Sequence, residues 1–217
     1  MSSTFEGSDI NSESIGNEEN MYPTKNWVDF TLNLPVDKTK QLNKQWDYFT
    51  AGCIVLGDIV DKSVPNGLQQ YAYKKLFRPL KITKYKWQFT PQNVANTAGS
   101  LQLCSLDYAK YGQLYKNQGT WNGKQIISQE WIAKSLSHQM LISEDEFYGY
   151  LFWNKTYKIN GLDYEVYYSS GNGGNRIFIF KDQPIVIVIT STAYNTAYGE
   201  KQIEKIMQEY LIEAITK

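Results

Sequence analysis

The feature that most constrains the fold is a change of hydrophobic period near residue 148. After this point four strand-like runs follow one another, joined by short polar connections; they cover Tyr148–Trp153, Tyr164–Tyr168, Arg176–Phe180 and Ile185–Thr190. Short connections of this kind predict antiparallel neighbours in one sheet. The residues from 185 to 189 are all apolar, which predicts a strand that helices cover on both faces.

The end of the chain returns to a helical period. Apolar residues recur at intervals of three and one, with charged residues between them; the apolar set is Ile203, Ile206, Met207, Tyr210, Leu211, Ala214 and Ile215. This spacing predicts an amphipathic helix that packs its apolar side on the sheet.

The region before residue 148 is predicted to be mainly helical. Thr24 is the expected N-cap of a short helix that Pro35 ends, and Ser105 and Ser128 are the expected N-caps of two later helices. The first 20 residues are rich in Ser, Asn and Glu, which is typical of an irregular polar segment.

Another helical signal lies between Trp46 and Asp61. Leu56, Ile59 and Val60 recur at helical spacing, and an apolar run before them widens that side of the helix. The pattern predicts a helix that is buried on most sides.

Together these signals predict an α+β fold in one domain over residues 1–217. We expect a polar loop or arm at 1–22 and a mainly helical region at 23–147. An antiparallel sheet with a C-terminal helix is expected at 148–217.

The composition excludes several classes of protein. The 217 residues are 42% hydrophobic and 20% charged, which excludes a wholly disordered chain. The net charge is zero, so neither nucleic acid nor an anionic membrane is an expected partner. No apolar run approaches the ~18 residues of a membrane span. The first residues lack the basic start and apolar stretch of a signal peptide, and the compartment stays open.

The first stretch that could carry chemistry is Tyr48-Phe49-Thr50. It places a phenol and a hydroxyl two residues apart at the beginning of a predicted buried helix. Such a turn can hold a polar group rigidly over a cleft. The alternative is an aromatic lead-in that only packs on the core.

The second stretch is Gly171-Asn172-Gly173-Gly174-Asn175, between two predicted strands. Three glycines in five residues allow the backbone to approach a ligand closely, and exposed N–H groups could bind an oxyanion. The alternative is a flexible hairpin loop with a glycine bulge.

Histidine and cysteine chemistry is not favoured. His138 is the only histidine, no serine stands in a nucleophile-elbow context, and a solvated loop position is the preferred interpretation. Cys53 and Cys104 are interpreted as buried free thiols, although pairing is not excluded. One histidine and two scattered cysteines predict no metal site, and no cofactor is expected.

The order of these stretches resembles a known family. The matching residues are Tyr48-Phe49-Thr50-Ala51-Gly52 through Leu56-Gly57-Asp58-Ile59, Leu76-Phe77-Arg78-Pro79-Leu80, Ala98-Gly99-Ser100-Leu101 with Asp107, Ala109 and Gly112, Asn122-Gly123-Lys124-Gln125-Ile126-Ile127-Ser128-Gln129-Glu130-Trp131, Tyr148-Gly149-Tyr150, and Gly171-Asn172-Gly173-Gly174. In this order they resemble the serine β-lactamase and penicillin-binding protein superfamily. More narrowly, they resemble its class C-related branch, which includes D-alanyl-D-alanine carboxypeptidases and esterases. The resemblance implies a β-lactamase-like fold.

The resemblance also implies roles for individual residues. Family members combine a Ser-x-x-Lys pair, a Tyr-x-Asn motif that shuttles the proton, and a Lys-Thr-Gly or His-x-Gly motif that binds substrate. Tyr48 takes the proton-shuttle position, and Thr50 replaces the usual Asn. The third motif falls on Asn172-Gly173-Gly174, and the N–H of Asn175 becomes one oxyanion donor.

The departures from the family pattern affect catalysis. No serine of this chain has a lysine three residues later, and Asn172 stands where the third motif has Lys or His. Without a cationic neighbour, the phenol of Tyr48 is expected to stay protonated and idle. The start Met1-Ser2-Ser3 resembles a Met-Ser-Ser-Gly passage that family members place downstream of the nucleophile helix. A partial domain is therefore expected, with the first strands and the nucleophile helix missing.

Two hypotheses of function follow. The first is a serine hydrolase of amide or ester bonds, in a small molecule or peptide, that is inactive alone because this chain lacks its nucleophile. The second is a non-catalytic binding or remnant protein that keeps the cleft. Missing strands would leave a sheet edge exposed to self-association or to a partner segment. Members of the family are often periplasmic or extracellular.

Overall fold

The computed structural model describes residues 2–215, which form two compact units. The first unit ends at Leu103 and the second begins at Cys104. None of the helices within residues 2–215 has both the length and the apolar character needed to cross a membrane.

The first unit is mainly helical, as the sequence predicts. Its helices are α1 (Glu18–Met21), α2 (Trp27–Leu32), α3 (Thr50–Ser63) and α4 (Gly67–Ala72), which continues into a π-helical turn at Tyr73–Phe77. Two short strands, β1 (Tyr85–Trp87) and β2 (Leu101–Leu103), pair antiparallel. The core of this unit gathers Met21, Leu34, Phe49, Ala51 and Ile54.

The helix predicted in the second half of the stretch from Trp46 to Asp61 is present as α3, but its predicted burial is wrong. Leu56 and Ile59 are 61% and 54% exposed, whereas the buried side carries Ala51, Ile54 and Gly57. A Cβ atom on Gly57 would lie 2.2 Å from Oγ1 of Thr97, so only glycine allows this approach. The packed side of α3 is therefore formed by small residues together with Ile54, whereas Leu56 and Ile59 face away from it.

The first predicted helix cap is also corrected. Asn26 caps α2 in place of Thr24, since its side chain accepts from the N–H groups of Val28 and Asp29. The Thr24 hydroxyl instead donates to the carbonyl of Met21. The polar segment before Pro23 is irregular apart from the single helical turn of α1.

The second unit is built on a six-stranded antiparallel sheet. Its strands are β5 (Met140–Ser143), β6 (Glu146–Tyr148), β7 (Trp153–Ile159), β8 (Leu162–Gly171), β9 (Asn175–Phe180) and β10 (Val186–Ile189), in the order β10-β9-β8-β7-β6-β5. Before the sheet lie α5 (Ser105–Lys116), the small hairpin of β3 (Thr120–Trp121) and β4 (Lys124–Gln125), and α6 (Gln129–Leu136). The strands are consecutive neighbours, as the short connections predict.

One predicted strand is wrong. Residues 148–153 do not form a single strand, because Leu151 has φ of 64° and the chain turns between β6 and β7. β5 was not predicted. Among the caps, Ser128 is confirmed for α6, whereas Cys104 takes the N-cap position of α5 in place of Ser105.

Helices pack on both faces of this sheet. On one face α5 crosses at Gly112, where a Cβ atom would lie 2.6 Å from Ile177 and 2.7 Å from Val186. On the other face lies the C-terminal helix, made of α7 (Gly199–Ile206), a π-helical turn (Met207–Leu211) and α8 (Ile212–Ile215). The α+β class and the closing helix are confirmed.

The π-helical turn changes which residues of this helix are buried. The fully buried positions are Ile203, Met207 and Ile212, with spacings of four and five, whereas the predicted member Tyr210 is exposed. A π turn adds one residue to a helical turn and so shifts the register of the apolar side. The sequence spacing alone could not show this shift.

Candidate active site

Tyr48 lies in the irregular segment directly before α3, and Asp9 holds this segment in place. The backbone N–H of Asp9 donates to the carbonyl of Tyr48 at 2.8 Å. The Asp9 carboxylate accepts from the N–H of Thr50 at 2.5 Å and from the N–H of Glu18 at 2.8 Å. These last two N–H groups begin α3 and α1, so one carboxylate serves two helix N-termini.

Phe49 anchors the same segment in the core. Its ring lies between two glycines, because a Cβ atom on Gly7 would lie 2.1 Å from the ring and one on Gly52 2.8 Å from it. The side chain is 4% exposed. The alternative of an aromatic lead-in that packs on the core therefore describes Phe49, whereas Tyr48 beside it is only half-buried.

The environment of Tyr48 favours a neutral phenol. Burial raises the pKa of Tyr48 to about 12, and the charges of Cys53, Glu18 and Asp9 add to the effect. Burial likewise raises the pKa of the Cys53 thiol to about 11. At neutral pH the phenol of Tyr48 carries its proton, and this segment cannot supply a phenolate base.

Thr50 is the first residue of α3 and is buried. Its N–H is held by Asp9, as described above. Tyr48 and Thr50 therefore lie together at the N-terminus of one helix in the first unit. Asp9 was not predicted to act here, because 41 residues separate it from Thr50 and its local sequence is that of a polar loop.

The glycine-rich stretch forms the tight connection between β8 and β9 in the second unit. Gly171 pairs with Asn175, and between them Gly173 and Gly174 have φ of 77° and 84°. Both glycines are buried, while Asn172 is exposed. The loop is thus a hairpin with left-handed glycines, in agreement with the alternative of a hairpin loop, but packing holds it in place.

The segment that follows β10 clamps this loop. The side-chain amide of Asn175 donates to the carbonyl of Asn172 at 2.8 Å and to that of Ser191 at 3.2 Å. Its amide oxygen accepts from the N–H of Ser191 at 3.3 Å, and the N–H of Ala193 donates to the carbonyl of Gly173 at 3.1 Å. The side chain of Asn175 therefore has a structural role in addition to any role of its N–H.

Tyr194 covers one side of the loop. A Cβ atom on Gly173 would lie 2.6 Å from the Tyr194 ring, so the ring rests directly on the glycine backbone. The ring is nevertheless 52% exposed. An exposed aromatic face thus lies next to Asn172 and Gly173, and no sequence signal pointed to it.

Arg176, the cation next to this loop, does not replace the missing cation of the third motif. Its side chain is 6% exposed, forms an ion pair with Glu200 of α7, and lies with Cζ 4.9 Å from the centre of the Tyr168 ring. The guanidinium is therefore directed to α7 and held within the unit.

The remaining candidates are placed as follows. His138 stacks on Phe147 at 4.1 Å between ring centres and lies 3.7 Å from the carboxylate of Glu165, so it is a packed surface residue. Both cysteines are free; Cys53 is buried as expected, but Cys104 is exposed. Across residues 2–215 no group of histidine, cysteine or acidic side chains is arranged to hold a metal ion.

Comparison with known proteins identifies the family. Residues 1–210 match the family model described as Beta-lactamase. The chain therefore belongs to the β-lactamase family. No curated protein sequence matches it significantly.

Solved structures show the same fold. A protein from Bacillus anthracis assigned as a 6-aminohexanoate-dimer hydrolase is similar with a TM-score of 0.71 and 18% identity, over 86% of this chain and 48% of that one. A penicillin binding protein from Bacillus halodurans gives 0.63 and 15%, over 83% and 61%. The octameric penicillin-binding protein homologue from Pyrococcus abyssi gives 0.57 and 18%, over 87% and 50%.

These likenesses confirm the β-lactamase-like fold expected from the sequence. This chain spans about half to three fifths of the length of each of these structures. At such low identities the likeness concerns the fold and leaves the substrate open.

Proposed function

We propose that this chain carries part of the site of a β-lactamase-related serine hydrolase, of the class C-related carboxypeptidase and esterase branch, and does not hydrolyse its substrate alone. The observation that carries the proposal is that no serine among the 217 residues has a lysine three positions later. Loss of the nucleophile of a serine hydrolase lowers kcat by about 10⁶. The substrate class is a small molecule or peptide with an amide or ester bond.

In this proposal Tyr48 keeps the position of a proton shuttle without its working environment. The raised pKa leaves its phenol protonated, whereas a shuttle must release and regain a proton near neutral pH. Catalysis would need a Ser-x-x-Lys element whose ammonium lowers this pKa again. The partial domain expected from the sequence is consistent with this need, because strands and a nucleophile helix outside these residues would then complete the site.

Asn172, Gly173, Gly174 and Asn175 are proposed to form the substrate-binding loop, with the N–H of Asn175 as an oxyanion donor. The rigid clamp of this loop supports the proposal, because a donor must be fixed in place before charge develops on the substrate. Thr50 is proposed to line the substrate side of α3.

The test uses the purified chain with nitrocefin and p-nitrophenyl esters. We expect turnover at the level of the buffer, and no labelling of the chain by a fluorescent penicillin, which acylates a nucleophilic serine. Joining a Ser-x-x-Lys helix from a related structure to the chain should restore labelling. Tyr48→Phe should then slow turnover of the joined protein, while Tyr71→Phe, on the exposed side of α4, should not.

The second candidate is a binding or remnant protein that keeps the cleft without chemistry. The loss of the cation at Asn172 favours it, because substrate carboxylates would be held less strongly there. The joined protein separates the two candidates. If it folds but takes up no penicillin label, the remnant interpretation stands; turnover by the unmodified chain that Tyr48→Phe abolishes would refute both.

We also propose that an exposed edge of the sheet pairs with a second copy of the chain or with a partner segment. The apolar edge strand β10 supports this, since unpaired edge strands readily add another strand.

A further inference from the structure

Arg176 is a buried cation at the base of the glycine-rich loop. It is the second residue of β9, directly after Asn175, and lies opposite Ser170 of β8. The whole residue is only 5% exposed. A charge that is buried to this extent must be neutralised and hydrogen-bonded where it lies, or the fold loses stability.

Two groups hold the guanidinium. Nη2 of Arg176 donates to the carboxylate of Glu200, in the first turn of α7. Cζ lies 4.9 Å from the centre of the Tyr168 ring, and the Tyr168 hydroxyl donates to the carboxylate of Glu146. Burial and this hydrogen bond raise the pKa of Tyr168, so the ring beside the cation is a neutral phenol. Nε of Arg176 is buried and has no hydrogen-bond partner within residues 2–215, which leaves Glu200 as the carboxylate that neutralises this cation.

The helix that carries Glu200 also packs against the loop. A Cβ atom on Gly174 would lie 3.5 Å from Ile203 of α7, which is 1% exposed. Glu200 and Ile203 are three residues apart, so they are neighbours on one side of the helix. Arg176 therefore ties the strand that leaves the loop to the same side of α7 that contacts Gly174 within the loop.

A second ion pair holds α7 to the sheet at a greater distance from the loop. Lys155 of β7 donates to the carboxylate of Glu204, which also accepts from the Tyr157 hydroxyl at 3.2 Å. β7 is separated from β9 by β8, and Glu204 lies one helical turn after Glu200. The two pairs form a matched comparison, because both hold one helix to one sheet but only Arg176 adjoins the loop.

We propose that Arg176 is a positioning residue for the substrate-binding loop and that it acts through Glu200. The ion pair fixes the end of the loop at Asn175 relative to α7, while Ile203 packs on Gly174. Its value for catalysis rests on the proposed function, because an oxyanion donor must be in place before charge develops on the substrate. Arginine suits this role, since its planar guanidinium can bond a carboxylate and stack on an aromatic ring at the same time.

The first experiment measures amide hydrogen exchange of the unmodified chain, of Glu200→Gln and of Glu204→Gln. The reporter is the N–H of Ala193, which donates to the carbonyl of Gly173 in the loop. Glu200→Gln should speed its exchange by roughly tenfold or more, and Glu204→Gln by less than roughly threefold. The N–H of Phe180, at the far end of β9, should exchange at the unmodified rate in both variants. Circular dichroism checks that both variants fold.

The conservative variant and the reference amide separate positioning from general stabilisation. Glu200→Asp keeps a carboxylate on α7, and Ala193 should exchange more slowly in it than in Glu200→Gln. An equal effect of Glu200→Gln and Glu204→Gln on Ala193 would overturn the proposal, since docking of the whole helix would then hold the loop. Faster exchange of Phe180 and Ala193 alike would overturn it too, because the pair would then stabilise the whole sheet.

The second experiment uses the joined protein described above and separates catalysis from binding. Glu200→Gln should slow acylation by the fluorescent penicillin roughly tenfold at saturation and leave the half-saturating concentration within about threefold, since an oxyanion donor acts on the transition state. A changed half-saturating concentration with an unchanged acylation rate would overturn the positioning role. A joined protein that takes up no label in any variant would refute the proposed hydrolase, whereas the exchange result needs no substrate and decides on the loop by itself.

Discussion

The Asp9 carboxylate should be among the most sensitive side chains of the first unit. The N-cap position of α3 is Phe49, which offers no side-chain acceptor, and Asp9 accepts from the first N–H of α3 and of α1. A hydrogen bond to a charged group contributes about 1.5–3 kcal/mol. Asp9 is half-buried, so water partly replaces the lost bonds, and we expect Asp9→Ala to lower the free energy of unfolding by about 2–4 kcal/mol in total.

Two further variants define this experiment. Asp9→Asn keeps one oxygen acceptor and should lose roughly half as much. Glu13→Ala removes an exposed carboxylate from the same polar segment and should change stability by less than about 0.5 kcal/mol. Urea unfolding followed by circular dichroism gives the free energies, and amide exchange of Thr50 reports on the N-terminus of α3. If Asp9→Ala and Glu13→Ala agree within error, Asp9 does not hold these helices.

Three other predictions concern single residues. Burial raises the pKa of Tyr48 to about 12 from an ordinary value of 10.0. The contribution of this shift to the free energy of unfolding should therefore be full below pH 10 and fall as the pH rises from 10 towards 12. A difference titration of the phenol absorbance against Tyr48→Phe measures the midpoint, and a midpoint near 10 would contradict the burial argument. Gly173→Ala should destabilise the chain by about 2–4 kcal/mol, because a left-handed φ and contact with the Tyr194 ring act together. Gly161→Ala is the matched control, because Gly161 has φ of 76° but open space around it. This control should lower stability by only about 1–2 kcal/mol, as measured by thermal unfolding. Gly57→Ala should destabilise α3 despite the ~1 kcal/mol gained from helix propensity. Adding Thr97→Ala should recover most of the lost stability. If the double variant is no more stable than Gly57→Ala, Thr97 is not the obstacle.

Elements whose signals act over a few residues can be predicted from local chemistry in the sequence. Ser128 caps α6 because its hydroxyl accepts from the N–H of Trp131 at 3.2 Å. Asn122 and Gly123 form the hairpin turn with φ of 48° and 75°, and Asn160-Gly161 forms another. These turns need only their own backbone conformations, so a dipeptide is sufficient to predict them.

Predictions failed where the decisive contact lies far away in the sequence or where the helix changes its period. The apolar spacing of Leu56 and Ile59 indicated a buried side of α3, but Thr97 packs against Gly57 and donates to the carbonyl of Cys53 at 2.6 Å. The π-helical turn moved the buried side of the last helix to Ile212. In both cases the sequence pattern indicated a helix correctly, but tertiary contacts or the local helix geometry decided which side of it is buried.

The candidate site was predictable only in part for a related reason. Tyr48 and the glycine-rich loop could be found from their order along the chain, whereas Asp9, Ser191 and Tyr194 act through contacts that no motif contains. The supporting residues of a site depend on tertiary structure even when its motif residues do not.

The motif residues differ in whether the fold alone explains their presence. Phe49 and Asn175 are fixed by packing and by hydrogen bonds within their own units, so the fold alone is enough to preserve them. Asn172 is different, because its side chain is exposed and the hydrogen bond at this residue goes to its backbone carbonyl. The segment of Tyr48 is held through its main chain, since Asp9 binds the backbone on both sides of Phe49. Function is therefore best judged at the side chains of Tyr48 and Asn172. The turn between β8 and β9 and the contact with Tyr194 already require the glycines there, so an active hydrolase and a remnant would both keep them.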